Sequence, residues 1–187
     1  MTSISLPASV TEIDDYAFSD CSALVEVSIP SSVDEIGSCA FNYCTALSSI
    51  VIPDSVTEIE EGAFAECRAL TTVVLPNSLA EISDYLFSDC TSLSNILIPA
   101  SVTEIETGAF QRCTSLLSII IPDSVTEIED IAFSQCSALR SVLLPASVTE
   151  IGVGAFDKCP NLTLTVFRNS YAERYAQRNH IPYTYAD

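Results

Sequence analysis

The sequence predicts a solenoid of the α/β class: about seven stacked coils of 23 residues, with a C-terminal lid. Three columns of residues predict it. Prolines fall at Pro7, Pro30, Pro53, Pro76, Pro99, Pro122 and Pro145, each 23 residues after the last. Phenylalanines keep the same step at Phe18, Phe41, Phe64, Phe87, Phe110, Phe133 and Phe156, and seven of the eight cysteines keep it from Cys21 to Cys159. A repeat this strict is one supersecondary unit that cannot bury its apolar face alone and stacks on copies of itself. The implied division is a solenoid over 1–167 and a cap over 168–187. With 48% hydrophobic and 17% charged residues the chain is too apolar for disorder, despite a net charge of −18.

Each coil can be read in order from the unit Cys67 to Asp89. Leu70, Val73 and Leu75 have an L-x-x-L-x-L spacing, which points them inward and makes a short strand lining a concave side. Pro76 ends that strand, because proline has no amide proton for a central ladder. The segment after the proline, clearest at Ser124 to Ile128, turns Val125 and Ile128 inward and reads as extended or weakly strand-like. Ala132, Phe133 and Cys136 stand at helical spacing, so a short helical turn is expected to close each coil.

The ends differ. At Arg168 the proline column stops, and Ser170-Tyr-Ala-Glu173 has the spacing of a capping box. Tyr171, Ala172, Tyr175 and Ala176 share one helical face, Arg174 and Arg178 lie toward the negative end of the helix dipole, and Asn179 and Pro182 stop the helix. Ile181, Tyr183 and Tyr185 alternate like an edge strand. Residues 168–187 are thus expected to cover the core that the last coil would expose. Met1 to Leu6 already read as the strand of a coil, with no matching lid. The chain is therefore expected to be the closing portion of a longer array, and to self-associate through its N-terminal end.

Stretches such as Cys113-Thr-Ser-Leu116 through Ile121-Pro122-Asp-Ser-Val125-Thr-Glu-Ile128 closely resemble the BspA-like, or Treponema-type, leucine-rich repeats, and the likeness runs from residue 4 to about residue 167. It implies a leucine-rich repeat solenoid, a right-handed β-α superhelix with a concave parallel sheet. It also implies a cell-surface or secreted protein that works in adhesion or protein binding. The Ser-Tyr-Ala segment at residue 170 is similar to the one that closes arrays of this family.

Charge and composition narrow the partners. Twenty-five acidic residues against seven basic ones, none of the latter before Arg68, repel nucleic acid and anionic lipid. No apolar run approaches the roughly 20 residues that span a bilayer, and no basic-then-apolar leader follows Met1. His180 is the sole histidine, so no nucleophilic triad or multi-histidine metal set can be assembled. Carboxylates recur in identical columns, whereas an acid–base pair needs two different environments. No catalytic residue, cofactor or metal centre is expected.

Two columns and one cysteine carry alternative readings. The seven stacked cysteines are expected to pack inward as small hydrophobes that bond loop backbone; parallel stacking aims them poorly for disulfides, and no paired C-x-x-C offers zinc a site. Cys39 lies off the column and is the one candidate for a reactive thiol. The glutamates Glu12, Glu35, Glu58, Glu81, Glu104, Glu127 and Glu150 read as a solvated edge, or as oxygen ligands for loosely held calcium.

The outward strand position is occupied by Ser28, Val51, Val74, Leu97, Ile120, Leu143 and Val166, six of them apolar. Polar columns flank it, Ser48, Thr71 and Ser94 in one and Ser49, Thr72, Asn95, Ser118 and Ser141 in the other. Such a stripe either fills the sheet for strand propensity or forms a contact surface. In the second reading Val51, Val74, Leu97, Ile120, Leu143 and Val166 bind a protein partner, making the chain a non-catalytic interaction or adhesion module. The alternative is a structural spacer about 34 Å long at about 4.8 Å per coil.

Overall fold

A computed structural model describes residues 2–186. It is a parallel β-solenoid of about eight turns with little helix. The first strand face holds β1 (Ser3–Ser5), β3 (Glu26–Ser28), β5 (Ser49–Val51), β7 (Thr72–Val74), β10 (Ser118–Ile120), β12 (Ser141–Leu143), β14 (Thr163–Val166) and β15 (Tyr183–Tyr185). After the proline corner comes a second face of two-residue strands: β2 (Glu12–Ile13), β4 (Glu35–Ile36), β6 (Glu58–Ile59), β8 (Glu81–Ile82), β9 (Glu104–Ile105), β11 (Glu127–Ile128) and β13 (Glu150–Ile151). Among the described residues every pairing is parallel, and up to β12 and β13 paired residues are one repeat apart, as in Glu12↔Glu35 and Ile119↔Val142.

The expected helical turn does not form. The Ala-Phe-x-x-Cys segments are turns, each broken by two left-handed residues. Tyr16, Cys39, Gly62, Tyr85, Gly108, Ile131 and Gly154 occupy the first such position, with φ between 51° and 66°. The spacing that suggested a helix is instead that of a third stack: Phe41 N–H donates to Ala63 O at 2.8 Å and Phe110 N–H to Ala132 O at 2.8 Å between coils, alternating with turn bonds within a coil such as Cys44 N–H to Phe41 O at 3.1 Å. Among the described residues the single helix is α1 (Tyr171–Arg178), beyond the repeats.

The core is the sum of the repeated columns. The phenylalanines from Phe18 to Phe156 stack ring on ring, with centroids 5.2–5.9 Å apart. Each buried ring contributes about 2 kcal/mol by area removed from water. The cysteine column behaves as a small hydrophobe with a weak donor: Cys67 Sγ donates to Phe41 O at 3.2 Å and Cys136 Sγ to Phe110 O at 3.1 Å. All eight cysteines are free thiols. Serines beside the proline corner add a further line of bonds, such as Ser55 Oγ to Val33 O at 2.6 Å and Ser101 Oγ to Leu79 O at 2.6 Å.

At the C-terminal end, Ser170 Oγ accepts from Glu173 N–H at 3.0 Å, and Glu173 Oε2 accepts from Asn169 N–H at 2.6 Å. The capping box therefore closes one residue earlier than Ser170's own amide. Ala172, Tyr175 and Ala176 are buried, and the Tyr175 ring meets Phe156 edge-on at 6.2 Å, ending the aromatic stack. β15 pairs with β14.

Candidate interaction surface

Strand alternation generates the exposed ridge: in β3, β5, β7, β10 and β12 the middle residue is buried and its neighbours face solvent. Val51 and Val74 stand side by side, as do Ile120 and Leu143. Leu97 is the most exposed of the row at 81%, and Ile120 follows at 68%. Five of the six expected ridge residues, Val51, Val74, Leu97, Ile120 and Leu143, are thus open to solvent.

Val166 is not; it is fully buried. The last coil is one residue shorter between Cys159 and its strand, so Val142 pairs with Leu164 and Leu143 with Thr165. A one-residue slip sends every side chain to the other face. Thr165 closes the ridge and Val166 joins the core. The signal was present in Leu162-Thr-Leu164-Thr-Val166, whose alternation points inward at 162, 164 and 166.

Two ridge neighbours were missed. Val25 and Leu117 are exposed large aliphatics in the column shared by Ser48, Thr71 and Ser94. Their 23-residue offset from those positions could have revealed them. The apolar area therefore widens at Leu117, beside Ile120, and is bounded by exposed Glu26 at one end and exposed Arg140 at the other. Between the two ends only hydroxyl and amide side chains flank it. Thr71 Oγ1 turns onto Ser48 O at 3.1 Å, and Asn95 Nδ2 onto Ser94 Oγ at 3.0 Å.

The acidic face is organised differently. The glutamates of β2 to β13 stand in register, like charge against like charge. A second set reaches back one coil to bond backbone: Glu60 Oε2 accepts from Ser38 N–H at 3.0 Å, Glu106 Oε2 from Asp84 N–H at 3.0 Å, and Glu129 Oε2 from Thr107 N–H at 3.1 Å. At the equivalent Gly37 a Cβ would lie 2.7 Å from Asp15 N and from Asp15 Oδ1, and that carboxylate bonds Ser38 N–H at 2.8 Å. Many acidic residues are therefore structural. Glu81, Glu104 and Glu106 bring carboxylate oxygens within 4.8 Å of one another. Burial first, then the charges of Glu81 and Asp84, push the Glu106 carboxyl up to about 7, so it is largely neutral below neutral pH and attracts cations weakly there.

Cys39 occupies the first left-handed position of its turn, at φ 55°. It is half-buried, and burial raises its thiol, with the Glu61 and Asp15 carboxylates adding to the rise and the contact with Tyr16 opposing it. Among the column cysteines, burial pushes Cys159 up to about 11 and Cys44 to about 12. His180 is exposed in the lid. Among the described residues, no helix is long and apolar enough to cross a membrane.

A stack of near-identical parallel coils with repeated buried columns defines a solenoid repeat protein. The chain belongs to the BspA-type leucine-rich repeat family, whose model matches in six copies over residues 1–117 and 64–177. Among solved structures it is similar to the leucine-rich repeat protein of T. pallidum, with 36% identity and TM-score 0.84 over 97% of this chain and 85% of that one. A leucine-rich repeat protein from Bacteroides ovatus is 29% identical with TM-score 0.76, over 98% of this chain. A leucine-rich cell surface protein from Faecalibacterium prausnitzii is 34% identical with TM-score 0.57, over 89% of this chain and 60% of that one. The chain spans about half (51%) of the length of the Bacteroides ovatus protein. No curated protein matches it. Proteins of this repeat family are generally interaction or surface-associated modules, and no enzyme family is indicated.

Proposed function

We propose that the chain is a non-catalytic protein-binding or adhesion module whose partner lies along the ridge Val51, Val74, Leu97, Ile120 and Leu143, widened by Leu117. The observation that carries this reading is the exposure of that ridge: Leu97 and Ile120 give most of their surface to water, where a rod that only held domains apart would place polar side chains. The bordering hydroxyls are uncharged and lose little when covered, as suits the rim of a contact site. The similarity to a leucine-rich cell surface protein supports a surface-associated setting.

The test is the triple variant Leu97→Ser, Ile120→Ser, Leu143→Ser. Wild type and variant are compared for binding to an array of purified extracellular and cell-surface proteins, and by thermal unfolding. Saturable binding that the variant loses, with the melting temperature almost unchanged, is the expected result. A large fall in melting temperature instead would mean that the ridge serves the sheet, and would favour the spacer.

A further inference from the structure

Coil 4, residues 67–89, is where the regular stacking changes. On the second face the ladder is continuous through β2, β4 and β6, stops, and resumes through β8, β9, β11 and β13. The first face is less regular: β1 pairs with β3 and β5 with β7, β3 and β5 are not paired, and residues 95–97 form no strand and pair with neither β7 nor β10. The second face thus opens once, between coils 3 and 4, and the first face next opens beyond β7, on both sides of residues 95–97. The segment 75–80 carries the chain from a block ending at β7 into a block starting at β8.

The bonds show the same division. Thr57 N–H donates to Asp34 O at 2.9 Å, Thr103 N–H to Ala80 O at 2.8 Å, Glu60 N–H to Ile36 O at 2.9 Å and Glu106 N–H to Ile82 O at 2.9 Å. The equivalent amides of Ala80 and Ser83 have no such carbonyl in coil 3, and the Ser83 hydroxyl takes Ile59 O instead. Across the 94–98 segment the backbone keeps one bond to a neighbouring coil, Leu117 N–H to Ser94 O at 3.2 Å. The turn stack continues through the joint with its longest link there: Phe64 N–H to Leu86 O is 3.1 Å, against 2.7–2.8 Å at the other phenylalanines from Phe18 to Phe133. The Phe64–Phe87 centroids are 5.9 Å apart and the Phe87–Phe110 centroids 5.6 Å, against 5.2–5.3 Å elsewhere along the phenylalanine stack.

Two side chains set coil 4 apart from the others. Leu79 and Leu86 are both buried, where every other coil has valine and alanine, as at Val56 and Ala63 before them and Val102 and Ala109 after. Extra carbons in a close-packed interior favour wider spacing of the neighbouring coils, in keeping with the longer Phe64–Phe87 and Phe87–Phe110 separations.

We propose that coil 4 is a built-in hinge: the block ending at β7 and the block starting at β8 bend relative to each other about the turn stack, changing the curvature of the ridge between Val74 and Leu97. Native-state hydrogen exchange on the intact chain tests this. Ala80 and Ser83 amides are expected to show protection at least about tenfold lower than Thr57, Glu60, Thr103 and Glu106, because they open locally. In the double variant Leu79→Val, Leu86→Ala their protection rises to that of those neighbours. The converse variant Val125→Leu, Ala132→Leu, two coils along, lowers protection at Thr126 and Glu129 by a similar factor. Equal protection in the parent chain overturns the hinge, and so does opening that persists in the folded variant lacking the leucines. Should that variant not fold, unchanged protection in the converse variant does the same.

Discussion

Ile131 shows how far the repeat can bend a single residue to its will. It sits at φ 51°, in a position that Gly62, Gly108 and Gly154 fill in other coils. A β-branched side chain in the left-handed region costs about 1–2 kcal/mol. Ile131→Gly is therefore expected to stabilise the chain by about 1 kcal/mol, once the lost packing and greater backbone freedom of glycine are offset, as read from the denaturant midpoint. An unchanged or lower midpoint would mean that the side chain's contacts outweigh the backbone cost. At the same scale, six of the seven column cysteines, Cys44 to Cys159, each bond a carbonyl 26 residues earlier, in the preceding coil, and burial raises their thiols and so holds them protonated.

At the scale of elements, the short last coil gives a direct check. Val166→Ala is expected to cost about 2 kcal/mol, whereas Leu143→Ser on the exposed neighbour strand should cost far less; denaturant unfolding of both reads the difference. Equal costs would put Val166 back on the surface. This coil also marks what was legible in the sequence. Columns fixed by burial (Pro, Phe, Cys, Leu) were plain, because an inward position tolerates few residue types and repeats them. The second strand was less so, since two residues cannot display alternation. The turn misled, because Ala-x-x-x-Cys spacing serves a helix and a stacked turn equally, and only left-handed residues tell them apart; of those, Gly62, Gly108 and Gly154 were visible, whereas Tyr16, Cys39, Tyr85 and Ile131 hid the pattern. For the ridge, the step of 23 located Val51 through Leu143 and failed at Val166, where a deletion reset the count.

For the whole molecule the dominant electrostatic fact is repulsion along the acidic face. The carboxyls of Glu35, Glu81, Glu106 and Glu127 are raised in the fold, by burial first and by neighbouring carboxylates second. A group whose folded value lies above its unfolded one favours the fold when protonated, so its contribution is present below about 4.5 and is lost as pH rises through the folded value, about 7 for Glu106. The melting temperature is therefore expected to rise on acidification from pH 8 to 5, and Glu106→Gln should flatten part of that slope. Glu173 is shifted the other way, by its bonds to the Tyr185 hydroxyl and Asn169 amide, and opposes the trend only in more acidic solution. A melting temperature flat or falling over pH 8 to 5 would contradict this account.

Near-identity of coils poses a problem of address: during folding, a coil could settle on its second neighbour almost as well as on its first, with one repeat looped out, the misassembly to which repeat proteins are prone. Every such mistake is nearly isoenergetic while the columns match. Leu79 and Leu86 break the tie. A register shifted by 23 residues would set a coil holding two leucines where valine and alanine are accommodated, so the irregular fourth coil serves as a landmark against which the other coils are counted.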